Sequence, residues 1–209
     1  MTTSTDTTAL ELLHALAVKG LANDAVLSAM TGFDEETLAA AISEALDEGL
    51  VLRREGRASG TMITPAGRER LAELRVAHPL STSDRETVTN AYADFLPVNG
   101  DFKRVCAAWQ MRDDTTPNDH SDSDYDARVI ADLGAVHERI ERVLSTAGTQ
   151  VPRLARYPKR LDAALAKVQD GDNAAFARPM YDSYHDIWME LHQDLLLTVG
   201  RERGADDEG

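Results

Sequence analysis

The chain has 209 residues with 36 Asp and Glu against 22 Lys and Arg, a formal charge of -14 at pH 7. Such an excess of carboxylates opposes nonspecific attraction to a polyanion, so any nucleic-acid contact must come from a local patch. The single cysteine, Cys106, excludes an intramolecular disulfide framework and a cysteine-rich zinc site.

The length is enough for two small domains that each bury a core. No apolar run approaches the ~18 residues needed to cross a bilayer. With a lone thiol and no signal-type N-terminus, the expected setting is the reducing cytoplasm.

Residues 1–7 are mostly Thr, Ser and Asp and are expected to be disordered. A first helix is predicted from Ala9 to Val18, where Leu10, Leu13, Leu16 and Ala17 recur at helical spacing and Gly20 is the stop. Asn23 caps a short second helix carrying Val26, Leu27 and Met30, which ends at Gly32. Asp34 caps a third, with Glu35 and Glu36 at the positive end of its dipole. Its buried stripe is Leu38, Ile42, Ala45 and Leu46, leaving Glu35, Glu36, Ala39, Ala40, Ser43, Glu44 and Asp47 outward.

Gly49 ends that helix, and Val51–Glu55 and Thr61–Thr64 then form two strands joined by Gly56-Arg57-Ala58-Ser59-Gly60. Thr64 followed by Pro65 reads as an N-cap and first helical residue, opening a helix that runs to about Val76. The order helix, helix, helix, hairpin, helix over residues 8–77 predicts a winged helix-turn-helix.

The string "EGLVLRREGRASGTMITPAGRERL" resembles the MarR-like winged-helix regulators, in which Gly-Leu-Val, a charged hairpin and Thr-Pro-Ala-Gly-Arg occur in this order. The resemblance covers residues 8–77 and implies double-stranded DNA as a partner; a homodimer is expected for such a regulator, because paired half-sites would compensate for a weak single reading head. It makes Arg53, Arg54 and Arg57 phosphate or minor-groove contacts, with Ser59 beside them and Thr37 and Ser43 on the third helix completing the DNA-binding set. The departure is in that helix, which has no Arg, Lys, Asn or Gln between Asp34 and Glu48. Carboxylates there are repelled by the duplex and can accept a hydrogen bond only from cytosine in the major groove. Residues 1–77 hold seven Lys or Arg against twelve Asp or Glu. A winged helix also serves for protein docking, the rival expectation.

His78-Pro79-Leu80-Ser81-Thr82-Ser83 marks the boundary. Ser83 and Glu86 make a capping box for a helix ending before Pro97, and Asp101–Met111 is predicted as a separate helix. Asp113–Asp122 is a loop. Ser123 with Asp126 opens the longest helix, with Val129, Leu133, Val136, Ile140 and Val143 on one face and Gly148 as its end. Pro152 and Pro158 limit any helix between them, Leu161, Leu165 and Val168 form an amphipathic segment stopping at Gly171, and Pro179 begins the last helix. With no strand pattern after residue 64, residues 83–203 are expected to be an all-helical bundle of about five helices, followed by a disordered tail at 204–209. The fold class is mainly α.

The strings "NDHSDSDYDARVIADLGAVHERI", "YPKRLDAALAKVQDGD" and "RPMYDSYHDIWMELHQDLLLTVGRERG" are similar to a helical domain of actinobacterial winged-helix proteins. Related segments accompany enzymes resembling pyruvate phosphate dikinase and other phosphoenolpyruvate-utilising phosphotransferases. That similarity implies an accessory or regulatory subunit docked on a larger enzyme, and it transfers no catalytic residue.

His185 and His192 fall on nearly one face of the last helix with Trp188 between them, a spacing that can bind a metal or relay a proton. The zinc-protease frame fails because Met189 stands where the second histidine belongs. A calcium loop starting at Asp122 fails because Ala127 replaces the required glycine and Leu133 the bidentate glutamate. A polar site would instead need His120, beside Asp119, to converge with His185 and His192. Arg153, Arg156, Lys159 and Arg160 form a basic cluster bordered by Tyr157, either an anion-binding strip or a solvated face. Trp109, Tyr157, Tyr181, Tyr184 and Trp188 fill the core or line an effector pocket. No phosphate loop, dinucleotide fingerprint or nucleophile elbow occurs, so no enzyme activity, cofactor or metal is expected.

Overall fold

The computed structural model describes residues 2–56 and 58–201, and the protein is mainly helical. Its two compact units divide between Ser81 and Thr82. No helix among the described residues is long and apolar enough to cross a membrane.

The first unit runs α1 (Thr2–Lys19), β1 (Leu21–Ala22), α2 (Asp24–Thr31), α3 (Glu35–Asp47), β2 (Val51–Arg54), β3 (Gly60–Ile63) and α4 (Pro65–Ala77). Three of its helices start on side-chain caps that the sequence identifies. Asn23 accepts from the Val26 amide, Asp34 from the Thr37 amide and Thr64 from the Gly67 amide. Gly32 ends α2 at φ 73°, a left-handed conformation that costs a side-chain-bearing residue energy.

Helix α1 begins at Thr2, not Ala9, because its first turns have tertiary partners: Asp6 pairs with Arg70 of α4 at 2.9 Å and lies 3.8 Å from His78. The buried stripe of α3 includes Ala41 in place of Leu46, which is 38% exposed. Strand β1 has no signal of its own in the sequence, since two residues are too few for periodicity. It pairs antiparallel with β3 (Leu21 with Met62, Ala22 with Thr61) and gives the sheet order β1-β3-β2. Gly60 sits where any Cβ would come within 2.6 Å of the Ala22 carbonyl oxygen, so the side chain is excluded to let β1 in. Leu12, Leu13, Leu16, Leu27, Ile42 and Leu74 are the most buried residues of the unit's core.

The second unit consists of α5 (Thr82–Gln110), α6 (Ser123–Gln150), a 3-10 turn (Pro152–Ala155), α7 (Arg156–Gln169), the one-turn α8 (Ala174–Ala177) and α9 (Tyr184–Val199). The expected pair of helices on either side of Pro97 is a single 29-residue helix. Proline forfeits the bond to the Ala93 carbonyl, but Val88, Tyr92 and Phe95 before it and Val98, Phe102, Val105 and Trp109 after it are all buried on one continuous face. Burying both halves of that stripe outweighs one lost hydrogen bond.

Three further boundaries depart from expectation. Asp122, rather than Ser123, caps α6, accepting from the Tyr125 amide. Gly148 lies inside α6, not at its end. A Cβ there would lie 2.9 Å from Ala155 Cβ, so the glycine exists to admit the 3-10 turn. Helix α9 starts at Tyr184 on the Ser183 cap, because Met180 and Asp182 are left-handed (φ 57° and 53°) and break any helix opened at Pro179.

Candidate functional site

In the first unit the exposed hairpin and α3 carry the residues expected to meet DNA. Thr37 lies in the first turn of α3, and it holds the Asp34 carboxylate below its ordinary pKa through side-chain and backbone hydrogen bonds. Ser43 and Ser59 are exposed. Arg54 is exposed at the end of β2 and has no ion pair among the described residues. Arg53 is held: its guanidinium donates to both carboxylate oxygens of Asp24 at the start of α2, at 2.7 and 3.1 Å. That bond is the main cause of its raised pKa. Arg57 lies outside the described residues. The outward face of α3 presents Glu35, Glu36, Glu44 and Asp47, all exposed.

In the second unit the nine residues proposed for a ligand or polar site do not form one site. Trp109 is buried against Phe176, ring centroids 4.3 Å apart and planes 2° from parallel. On its other neighbour, His120, the ring is tilted at 4.3 Å, and His120 Nδ1 stands 3.0 Å from an oxygen of Asp126. Asn118 donates to the other Asp126 oxygen at 2.7 Å, so this loop is tied to the first turn of α6. His185 lies against Phe102, and burial lowers its pKa. His192, wholly buried, lies against Phe95 and Tyr92. The three histidines thus have different neighbours and do not converge as a polar site requires.

Trp188 is buried in the core, stacked on Phe102 at 4.3 Å, and its indole N–H donates to Asn99 Oδ1 at 2.8 Å. Tyr181 is exposed and donates to Asp172 at 2.9 Å. Arg156 is half-buried.

The basic cluster is neither an anion-binding strip nor a solvated face at two of its four positions. Arg160 is buried, with one guanidinium nitrogen 2.6 Å from Glu190 and another 2.6 Å from Asp182. Burial alone would lower its pKa, but the attraction of Glu190 and Asp182 outweighs it and the pKa is raised. Arg153 meets Asp194 at 3.0 Å, and the Tyr157 hydroxyl donates to the other Asp194 oxygen at 3.0 Å. Burial first, then the neighbouring carboxylates Asp194 and Glu190, push the Tyr157 phenol well up. Two arginines of α7 and the turn before it are therefore spent on buried carboxylates of α9, leaving Lys159 as the exposed cation of the cluster.

A groove of about 610 Å³ lies along α6 and the 3-10 turn, lined by residues including Glu138, Glu141, Arg142, Ser145 and Pro158. Beside it, His137 Nε2 is 2.8 Å from Asp162 and 3.8 Å from Glu141, while its Nδ1 is 3.2 Å from the Tyr184 hydroxyl. Sequence reading missed this cluster. The available signal was a histidine on the apolar stripe of α6, between Val136 and Ile140, with Glu141 one turn further on the same face. Its third member, Asp162, comes from another helix and no spacing announces it.

No protein family, curated protein or solved structure matches the chain.

Proposed function

We propose that the first unit is a winged helix-turn-helix that binds double-stranded DNA, and that the helical unit serves dimerisation or effector sensing in a cytoplasmic transcriptional regulator. The observation that carries this reading is the order helix, strand, helix, helix, hairpin, helix with the three-stranded order β1-β3-β2, and an exposed hairpin bearing Arg53 and Arg54. Engagement of Arg53 by Asp24 does not oppose it, because a pair whose side chains are 42% and 55% exposed is worth under about 1 kcal/mol, and a phosphate can replace the carboxylate.

A specific observation favours a second reading. The outward face of α3, the element that would enter the major groove, offers four carboxylates and no cation. Such a face suits docking on a basic protein surface, as in a non-catalytic accessory subunit of a phosphoenolpyruvate-utilising phosphotransferase.

Salt dependence of binding to duplex fragments from the chain's own promoter region, read by fluorescence anisotropy, separates the two. Three wing arginines predict about three phosphate contacts per protomer and roughly 40-fold weaker binding between 50 and 200 mM salt, or on the order of 2,000-fold for a dimer using six. Alanine at Arg53, Arg54 and Arg57 together should abolish the shift. Absence of any duplex binding at ~0.15 M salt, with co-purification of a larger enzyme, selects the docking role.

A further inference from the structure

We propose that His137, Glu141 and Asp162 form a binding site for a divalent transition-metal ion, with zinc the best-fitting probe, at the edge of the groove between α6 and the 3-10 turn. The site is independent of what the first unit binds.

One imidazole nitrogen and one oxygen from each of two carboxylates lie within 4.8 Å of one another. Around a four- or six-coordinate ion with bonds of ~2.1 Å, ligand atoms stand about 3.0–3.4 Å apart. The observed separations of 2.8 Å to Asp162 and 3.8 Å to Glu141 bracket that range, so a small rotation of two exposed carboxylates completes the fit. The anchor is rigid: the His137 side chain is only 8% exposed, while those of Glu141 and Asp162 are 45% and 55% exposed and can adjust.

The other imidazole nitrogen supplies the orienting contact that metal-bound histidines need. If Nδ1–H donates to the Tyr184 hydroxyl, 3.2 Å away, then Nε2 presents its lone pair to two carboxylates. That arrangement is repulsive. Either a hydrogen on Nε2, as in the neutral tautomer whose Nδ1 accepts from the Tyr184 hydroxyl, or a metal ion removes that repulsion. Two carboxylates and a neutral imidazole balance the charge of a divalent ion, and oxygen with imidazole donors suits zinc or manganese rather than a soft monovalent metal.

Three protein ligands leave coordination positions for water or an exogenous group. Glu141 is both a member of the triad and a wall of the groove, which also carries Arg142 and Ser145. The ligand class for the open positions is therefore a small anion able to reach a metal and a guanidinium together.

The test is calorimetric titration of the chelator-treated full chain with zinc chloride, paired with the visible spectrum of the cobalt-loaded chain. The expected result is one saturable equivalent and a cobalt spectrum of a low-coordinate N,O site. The double variant Glu141→Gln/Asp162→Asn, at two exposed positions that should not disturb folding, should weaken binding at least 100-fold. Tyr184→Phe should weaken it about tenfold by freeing the imidazole, and His185→Gln should leave it unchanged. No saturable zinc binding by the native chain overturns the site, as does undiminished binding by the double variant. In either case His137 only hydrogen-bonds Asp162 and the Tyr184 hydroxyl.

Discussion

Arg160 and Glu190 form an ion pair between α7 and α9 at 2.6 Å, with side chains 8% and 3% exposed. A pair so deeply buried contributes little net stability against an apolar replacement, yet removing one partner strands the other charge. Arg160→Met leaves Glu190 and should cost about 3–5 kcal/mol, whereas Arg160→Met/Glu190→Leu should recover most of that loss. Urea unfolding of both variants measures the difference, and equal destabilisation by the single and double changes would show that the pair is not what holds α7 to α9.

Two glycines within helices give opposite expectations. Gly67 in α4 sits where a Cβ would lie 2.1 Å from the Leu50 carbonyl oxygen, and the Thr64 hydroxyl bonds both that carbonyl and the Gly67 amide. This explains why the Thr-Pro-Ala-Gly string is specified as a unit: the cap and the close approach share one backbone turn. Gly67→Ala should destabilise the first unit by about 2–3 kcal/mol. Gly134 in α6 faces open space, so Gly134→Ala should stabilise the second unit by roughly 0.5–1 kcal/mol through helix propensity alone. Thermal melts of the two variants should move in opposite directions.

Burial pushes the Cys106 thiol from 9.0 up to about 12. At pH 8 this lowers the thiolate fraction on the order of 1,000-fold, and because a higher-pKa thiolate is also more nucleophilic, a disulfide reagent should react with the native chain roughly 50-fold more slowly than with the unfolded chain. A raised pKa favours the protonated folded state, so its contribution is intact below pH 9 and disappears as pH rises from about 9 to about 12. Tyr184, pushed up by burial and the nearby Glu141 and Asp162 carboxylates, acts in the same direction. Unfolding midpoints should decline across that alkaline window, and Cys106→Ala should flatten part of the decline.

Local chemistry was legible in the sequence; long-range chemistry was not. Asn23, Asp34 and Thr64 cap helices through contacts three residues away, and the hairpin pairs Val51 with Ile63 across a short loop. Pro97 looked like a terminator because a proline rule considers one hydrogen bond, while the stripe from Val88 to Trp109 is a property of the packed unit. Gly148 looked like a stop because its reason, Ala155, lies across a turn. The arginines at 153 and 160 looked like surface cations because Asp194 and Glu190 are more than a helix away. The contacts of His137 are hidden in the sequence for the same reason: Asp162 and Tyr184 reach it from α7 and α9.

His185 contributes to the acid side of the stability profile. Burial depresses its pKa below the ordinary 6.5, so the neutral ring is favoured in the folded chain. A lowered pKa contributes stability above pH 6.5 that is lost as pH falls through the folded value, because the unfolded chain binds the proton more readily. His185→Gln should therefore reduce the slope of unfolding free energy as pH falls below 6.5. An unchanged slope would mean that the ring is already hydrated in the native unit.

The contact between Arg53 and Asp24 makes the DNA reading sensitive to a residue that would never touch the duplex. Asp24 occupies the Nη1/Nη2 edge of the Arg53 guanidinium, so a phosphate must compete with it for that bidentate edge. Asp24→Asn removes the competing charge, and its cost to the fold is small because the pair is solvent-exposed. The variant should bind duplex DNA several-fold more tightly than the native chain at ~0.1 M salt, with the same number of phosphate contacts in its salt slope. Arg53→Ala should remove the gain in the double variant Asp24→Asn/Arg53→Ala. If Asp24→Asn instead leaves affinity untouched while Arg54→Ala still reduces it, Arg53 belongs to the fold of the hairpin and the duplex is held by the cations beyond it.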